Sequence, residues 1–544
     1  MRSLPELADD LGLPPETVRP YGRQVGKVPV AAVRAQVAQG RRGKLILVTG
    51  ITPTSHGEGK TVTAIGAAMA LRASGRRAVA VLRQPSLGPV FGAKGGASGG
   101  GRATVEPATE VDLGLTGDLD AVTAAHDLLA ALVDNHLFHG NALQLDRTGG
   151  TWPRALDVED RALRHIVTSV GGPPAEIARS SGFVITAASE VTAILGLASD
   201  YADLKRRLGR ILVGRSGGTG AVRASDVGAV GAMAALLRHA MEPNLLQAAD
   251  GTPALVHGGP FANIAHGTAT RLAIELGLYS ADYCLVEAGF ATDLGAEKFV
   301  DILGRDPDLH VDAGILVATV RALRHQGGTA PNALDRADPE AVERGLPNLE
   351  QHLENLRLLG IETVVALNRF PEDDPHEIAL IRRTVEGASA VLVESTAYAQ
   401  GASGARDLAE AVVGRAGRGR QSEPLYPLGT PVRAAVDLVA RQIYGARETA
   451  SSPEVDEALA YLESIGEGSG PVCIAKTPFS LSDDPHRRGR PRDYACTICR
   501  VSRSAGAGFT VAYLGAIETM PGLPVRPLAE RIDLTDNGEV TGLH

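Results

Sequence analysis

The chain has 544 residues and a mass of 56.5 kDa, enough for about two to four domains and too much for a small binding module. Apolar residues make up 44% and charged residues 22%, so the chain can bury real cores and is not disordered by composition. Its formal charge of −9, from 54 Lys and Arg against 63 Asp and Glu, supplies no general drive toward nucleic acid or an anionic membrane surface.

The opening stretch, MRSLPELADDLGLPPETVRPYG, carries acids and prolines without an apolar run and reads as neither a signal nor a transit peptide. The longest weakly polar run, 227–237, is too short to span a bilayer. Four cysteines in so long a chain argue against a disulfide framework and fit a reducing compartment. The expectation is a cytoplasmic protein with no membrane or nucleic-acid partner.

Apolar runs of strand length then alternate with amphipathic helical stretches. KLILVTGI (44–51) reads as a buried strand, TVTAIGAAMALRASG (61–75) as a helix and RRAVAVLRQ (76–84) as a second buried strand, together a βαβ unit. The alternation returns at YCLVEAGF (283–290), AGILVATV (313–320), helix LPNLEQHLENLRLLG (346–360) and strand IETVVALNRF (361–370). Such strands predict an α/β fold with a mainly parallel sheet covered on both faces. The polar connectors AGRGRQSEP (416–424) and EGSGP (467–471) suggest two smaller C-terminal domains. The expected division is 1–348 for a nucleotide-binding P-loop domain, 349–442 for a smaller α/β domain and 443–544 for a domain of short strands.

The strongest local signal is TPTSHGEGKT, between the first strand and the first helix. Glycines let backbone N–H groups approach oxyanions, and a helix N-terminus adds partial positive charge. The expected nucleotide contacts are Thr54, Ser55, His56, Gly57, Glu58, Gly59, Lys60 and Thr61, with Lys60 on the terminal phosphates and Thr61 on Mg²⁺. Thr54 stands where the strict phosphate-loop pattern has Gly, so a plain glycine-rich turn with a solvated lysine is the alternative. The next strand ends in Arg83, whose forked guanidinium suits a carboxylate or acyl phosphate. If neighbouring strand ends share one crevice, Arg83 and the loop converge on one ligand. The glycine-rich decapeptide 92–101 carries Lys94 beside that crevice and reads as a second anion-handling loop, with a flexible linker as the alternative.

These stretches, together with LLAALVDNHLFHGNAL, HGGPFANIAHG, VEAGFATDLGAEKF, AKTPFSLSDDP and TMPGLPVRP, resemble the formyltetrahydrofolate synthetase (formate:tetrahydrofolate ligase) family along nearly the whole chain. The resemblance implies a usually tetrameric ligase that uses ATP and Mg²⁺ to activate formate as formyl phosphate. The formyl group then passes to N10 of tetrahydrofolate, giving 10-formyltetrahydrofolate, ADP and phosphate. It places Lys60 and Arg83 in catalysis, Arg83, Lys94 and Phe290 around formyl phosphate, and Phe370 and Tyr398 against the pterin. The family has Glu where Gln84 stands, and losing that charge argues against potassium or ammonium activation. Further departures are Ser55-His56 for Pro-Ala, Arg102 for Tyr, Leu115 for Phe, Asp120 for His, Tyr398 for Trp and Gln400 for Lys. They leave open a paralogue that keeps acyl-phosphate chemistry on another small acid or amine, and a nucleotide-binding regulator without turnover.

Other motifs read as structural. Cys496 and Cys499 form C-x-x-C with no second pair for zinc and read as buried thiols on a strand. His257 and His266 read as hydrogen-bonded histidines of a tight turn. Asn368-Arg369 lacks the Asp of a guanine-reading box, because Pro371 stands there. HRRGRPR (486–492) reads as a solvated loop or a subunit contact.

Overall fold

The computed structural model describes residues 1–54, 57–146, 152–170, 178–217 and 220–543. Its main sheet is built from β1 (Arg19–Tyr21), β2 (Val25–Lys27), β3 (Lys44–Gly50), β4 (Ala78–Leu82), β5 (Asn244–Ala248), β6 (Pro253–Val256), β7 (Tyr283–Glu287), β8 (Ala313–Ala318), β9 (Thr363–Asn368) and β10 (Val391–Ser395). The spatial order is β1-β2-β5-β6-β4-β7-β3-β8-β9-β10, and two short strands at 99–100 and 103–106 join at β5 to make twelve. Every ladder from β6 to β10 is parallel, while β1, β2, β5 and β6 pair antiparallel along one side. The fold is therefore α/β, as the apolar strands predict, and β9 and β10 continue the sheet of the N-terminal section without a break.

The central strands are buried along almost their full length, and two hydrophobic clusters cover the two faces of the sheet. Helix α1 (Lys60–Ala73) lies on one face with its run TAIGAAMAL wholly buried, because small side chains let a helix sit close to strands. One expectation changes. β3 and β4 are not neighbours, since β7 lies between them and pairs with both, so the βαβ unit of adjacent strands becomes a crossover that skips one position. A gap left by a local connection has been filled by a strand some two hundred residues later in the chain, a pairing no local pattern encodes.

Two more expectations are corrected. The helix α3 begins at Pro339 rather than near 346, running to Leu358 with Pro347 inside it, after α2 (Val320–Gln326). Asp338 caps its first turn by accepting from Ala341 N–H, a stronger start signal than the proline that interrupts the pattern. Beyond residue 443 a separate sheet forms from β11 (Glu448–Ser451), β12 (Val472–Ala475), β13 (Ala495–Ser504) and β14 (Phe509–Leu514), in the order β11-β13-β14-β12. On β13, Cys496 is buried but Cys499 is exposed, as residues three apart on a strand require, so only the first is an interior thiol.

This C-terminal section is fastened to the rest through polar groups. Lys476, at the end of β12, is fully buried and lies 2.7 Å from Asp293 of the segment following β7. The basic loop 486–492 folds back onto the helices after β8: Gly489 N–H donates to Gln326 Oε1 and Gly489 O accepts from Asn348 Nδ2, both at 2.9 Å. It is a contact within the chain, with Arg487 and Arg488 left exposed.

Helix α1 meets the turn after β10 at Gly66, where a methyl group would stand 2.6 Å from Ala397 Cβ. Gly66→Ala gains about 1 kcal/mol of helix propensity but overpacks a contact with no flexible atoms, at about 1–3 kcal/mol. We expect net destabilisation of about 1 kcal/mol in urea unfolding. A stabilised variant would show that the helix can move away from the turn.

Candidate active site

The carboxyl ends of the parallel strands carry most of the residues singled out from the sequence. After Gly50 the chain leaves β3 and returns as α1. Gly57 and Gly59 take left-handed conformations, with φ of 74° and 77°, and Gly59 directly precedes the helix. Glu58 turns inward instead of toward the cleft: it accepts from Thr54 N–H at 2.7 Å and from the Thr319 hydroxyl at the end of β8. Lys60 and Thr61 open α1 and are partly exposed. Ser55 and His56 lie outside the described residues.

The loop is braced by Asn368, at the end of β9. Its amide donates to Glu58 O at 2.9 Å and bonds the Thr63 hydroxyl at 3.0 Å. A methyl group on Gly59 would stand 2.8 Å from that amide, so glycine is needed for the close approach as well as for the backbone angle. Sequence reading used Asn368 only to exclude a guanine box. Its position at a strand end beside the loop is the signal that could have found it.

Arg83 follows β4, and Glu287 ends the strand between the two. Arg83 Nη2 lies 3.8 Å from Glu287 Oε1, while Arg83 Nε is buried without a partner among the described residues. A methyl group on Gly289 would stand 2.9 Å from Arg83 Nη1, so that glycine leaves room for the guanidinium. Glu287 is the residue that sequence reading missed. A lone acid closing an apolar strand, YCLVE, was the available signal.

Lys60, Arg83, Lys94 and Glu287 share one electrostatic environment. Loss of hydration pulls the Lys60 pKa down and Arg83 adds to that, against Glu287 and Glu58. Loss of hydration, then the Arg83 and Lys60 charges, push the Lys94 pKa down to about 8, while Glu287 and Asp112 oppose the shift. Lys94 is exposed at the rim, so water screens it more than it screens Lys60. The loop that carries it is pinned by Asp112, which accepts from Ala97 N–H at 2.7 Å and from the Ser98 hydroxyl at 3.2 Å.

Phe290 reaches the same place. It has a left-handed backbone, with φ of 57°, and a methyl group on Gly50 would lie 3.5 Å from its carbonyl oxygen and 3.4 Å from Lys60 Cδ. Phe370 and Tyr398 follow the adjacent strands β9 and β10 on the far side of β8. The Arg321 guanidinium covers one face of Phe370 at 4.2 Å, and Tyr398 is 64% exposed. The Tyr398 carbonyl accepts from Arg102 N–H at 2.8 Å, and a methyl group on Gly100 would stand 2.9 Å from its ring. That ring therefore rests on the second glycine loop.

The family model for "Formate--tetrahydrofolate ligase" matches residues 1–544. The chain belongs to this family. Proteins named formate–tetrahydrofolate ligase from Fervidobacterium nodosum and Symbiobacterium thermophilum are 46% and 48% identical to it over its full length and 98% of theirs. The Thermus thermophilus protein of that name is 48% identical over 99% of this chain and 98% of its own. The chain is thus an enzyme of this ligase family, and among its described residues no helix is long and apolar enough to cross a membrane.

Within the family frame, Gln84 is a buried neutral amide beside Arg83. Its Nε2 donates to Gly114 O at 3.3 Å and its Oε1 has no partner among the described residues. The turn HGGPF packs on this segment, and a methyl group on Gly259 would stand 1.9 Å from Gln84 O. His257 is satisfied, by Thr270 Oγ1 at 2.6 Å and Ala240 O at 2.8 Å. His266 is not: neither ring nitrogen has a partner among the described residues, and its ring packs so close to Gly196 that a methyl group there would stand 2.2 Å from it.

A lowered pKa leaves more of Lys94 neutral near pH 8 than the under about 1% of an ordinary lysine near 10.4, and water at the rim moderates the shift. Acetic anhydride labelling read by mass spectrometry should modify Lys94 ahead of other surface lysines, with a midpoint between about pH 8 and 10. Arg83→Ala removes a neighbouring positive charge and should raise that midpoint. A midpoint above 10 in the wild type would separate Lys94 from the cation cluster.

Proposed function

We propose that the chain joins formate to tetrahydrofolate at the expense of ATP, through formyl phosphate. The observation that carries this reading is the gathering of Lys60, Arg83 and Lys94 around Glu287 at the carboxyl edge of the sheet. ATP enters over TPTSHGEGKT, where the left-handed glycines and the start of α1 suit phosphate oxygens. Magnesium comes with ATP as substrate, and Thr61 on the first turn of α1 would hold it.

In the first step a formate oxygen attacks the γ-phosphorus of ATP and the bond to the β-phosphate bridging oxygen breaks, releasing ADP. Such a transfer needs alignment and charge neutralisation, which the two lysines and the arginine supply. In the second step N10 of tetrahydrofolate attacks the formyl carbon, an oxyanion forms, and phosphate departs with the bonding pair as N10 loses its proton. Arg83 is suited to both the oxyanion and the leaving phosphate, because its fork presents two parallel donors. The products are 10-formyltetrahydrofolate, ADP and phosphate.

Phe290 would border the formyl phosphate pocket, and Phe370 and Tyr398 the pterin, with the open Tyr398 ring and the uncovered face of Phe370 available for stacking. In this reading 1–348 binds the nucleotide, 349–442 supplies the folate side and 443–544 closes the assembly, as a homotetramer in the cytoplasm. The neutral Gln84 amide supports turnover without a potassium or ammonium requirement.

Hydroxylamine traps the activated acid. Formate with MgATP should yield formyl hydroxamate without tetrahydrofolate, and addition of tetrahydrofolate should divert the product to the formylated folate. Hydroxamate from other small acids but not formate would overturn the substrate assignment. Arg83→Lys should lower kcat roughly 10²-fold, because a point charge cannot replace the bidentate fork, with little change in ATP affinity. Unchanged turnover in that variant would remove Arg83 from the mechanism.

A further inference from the structure

Behind the phosphate loop lies a buried polar node that contains none of the residues assigned above. Thr52, at the entry to the loop, is almost fully buried, and its backbone N–H donates to His352 Nε2 at 2.9 Å. On the opposite edge of the ring, Nδ1 lies 2.7 Å from Thr292 Oγ1, on the segment that follows Glu287 and Phe290. Two more side chains from α3 complete the node. Asn355 Nδ2 donates to Thr292 Oγ1 at 3.1 Å, and Asn348 Nδ2 donates to Thr52 Oγ1 at 2.9 Å. The same Asn348 amide reaches Gly489 O, so the C-terminal section closes the node from outside.

The chemistry fixes the ring in one state. A backbone N–H can only donate, so Nε2 must be the acceptor and the ring proton must sit on Nδ1, aimed at Thr292 Oγ1. The Thr52 hydroxyl also lies 2.9 Å from Nε2 and, already accepting from Asn348 Nδ2, has its own proton free to donate there; a doubly protonated ring would set donor against donor at the Thr52 backbone N–H. Burial excludes that state: loss of hydration pulls the His352 pKa down to about 4, with Lys476 adding to the shift and Asp293 opposing it. The neutral ring is a rigid spacer, with an acceptor toward the loop after β3 and a donor toward the loop after β7. Those loops carry Lys60 on one side and Glu287 with Phe290 on the other.

We propose that His352 is a positioning residue, which sets the phosphate loop at Thr52 in register with the β7 loop at Thr292 and so aligns the cleft from behind. The inference rests on the phosphate-loop reading above. Without the ring the Thr52 N–H would be buried without a partner, and the loop would shift to find one. A displacement of about 1 Å far from the reacting atoms can cost about a hundredfold in rate.

The test compares the wild type, His352→Gln, His352→Phe and Thr292→Val. The measurements are kcat, KM for ATP, affinity for the non-hydrolysable analogue AMP-PNP by calorimetry, and urea unfolding. AMP-PNP binding by the wild type checks the phosphate-loop reading on its own, so failure there is distinct from failure of the proposal. In His352→Phe, which keeps the ring volume without the acceptor, AMP-PNP affinity should fall about tenfold and kcat/KM for ATP about a hundredfold. In His352→Gln the carboxamide oxygen can take the place of Nε2 and should restore both to within about threefold of wild type. A folded His352→Phe with wild-type affinity and rate overturns the proposal, and so does a Gln variant as impaired as the Phe variant. If His352→Phe does not fold, Thr292→Val decides, since it keeps the ring and removes the partner of Nδ1, together with the acceptor of Asn355 Nδ2. Affinity about threefold weaker or worse supports the proposal, and unchanged affinity overturns it.

Discussion

Three positive side chains cannot share a half-buried cleft unless a negative one stands among them. Each would otherwise lose hydration and repel the others, and the lysines would give up their protons. Glu287 is that negative group, and it occupies its place only because β7 is threaded between β3 and β4. Strand order is therefore the electrostatic foundation of the site. The ends of β3 and β4, after which Lys60 and Arg83 follow, stand two strand positions apart, about 10 Å at the usual spacing, with the strand that ends in the carboxylate between them.

The loops at this edge come close because side chains have been left out at chosen points. Gly50 lets the Phe290 carbonyl and the Lys60 stem approach β3, Gly289 clears the Arg83 guanidinium, and Gly100 and Gly101 admit Tyr398 to the second glycine loop. Some of the chain's 64 glycines thus serve close contact between the segments that carry these side chains, and others serve turns.

The convergence of Lys60 and Arg83 at one edge of the sheet was legible because its signals are local. An apolar strand, a glycine loop and a lysine at a helix start lie within twenty residues of one another, and Arg83 follows the next apolar strand. The parallel sheet was legible for the same reason, since doubly buried strands leave continuous apolar runs at 44–50, 78–82 and 313–318. What escaped is non-local. The strands 244–248, 253–256 and 391–395 are short and offered no distinctive run, and the insertion of β7 depends on pairing between distant segments. Glu287, Asn368 and His352 find their partners hundreds of residues away, so each looks ordinary in its own stretch. The start of α3 was misread because Pro347 looks like a helix boundary, whereas tertiary packing carries the helix through it. His266 went astray similarly, since nothing local says that its ring would be sealed against Gly196.

The ion pair between Lys476 and Asp293 has a consequence for how the molecule comes apart. Both groups are shut away from water, and separating them leaves an uncompensated interior charge, which typically costs about 3–5 kcal/mol. Asp293 sits next to Thr292, so peeling the C-terminal sheet away would strand that charge beside the loop that follows Glu287 and Phe290. Melting should then proceed as one cooperative event across the two regions, with no long-lived species in which the sheet has detached and the cleft still functions.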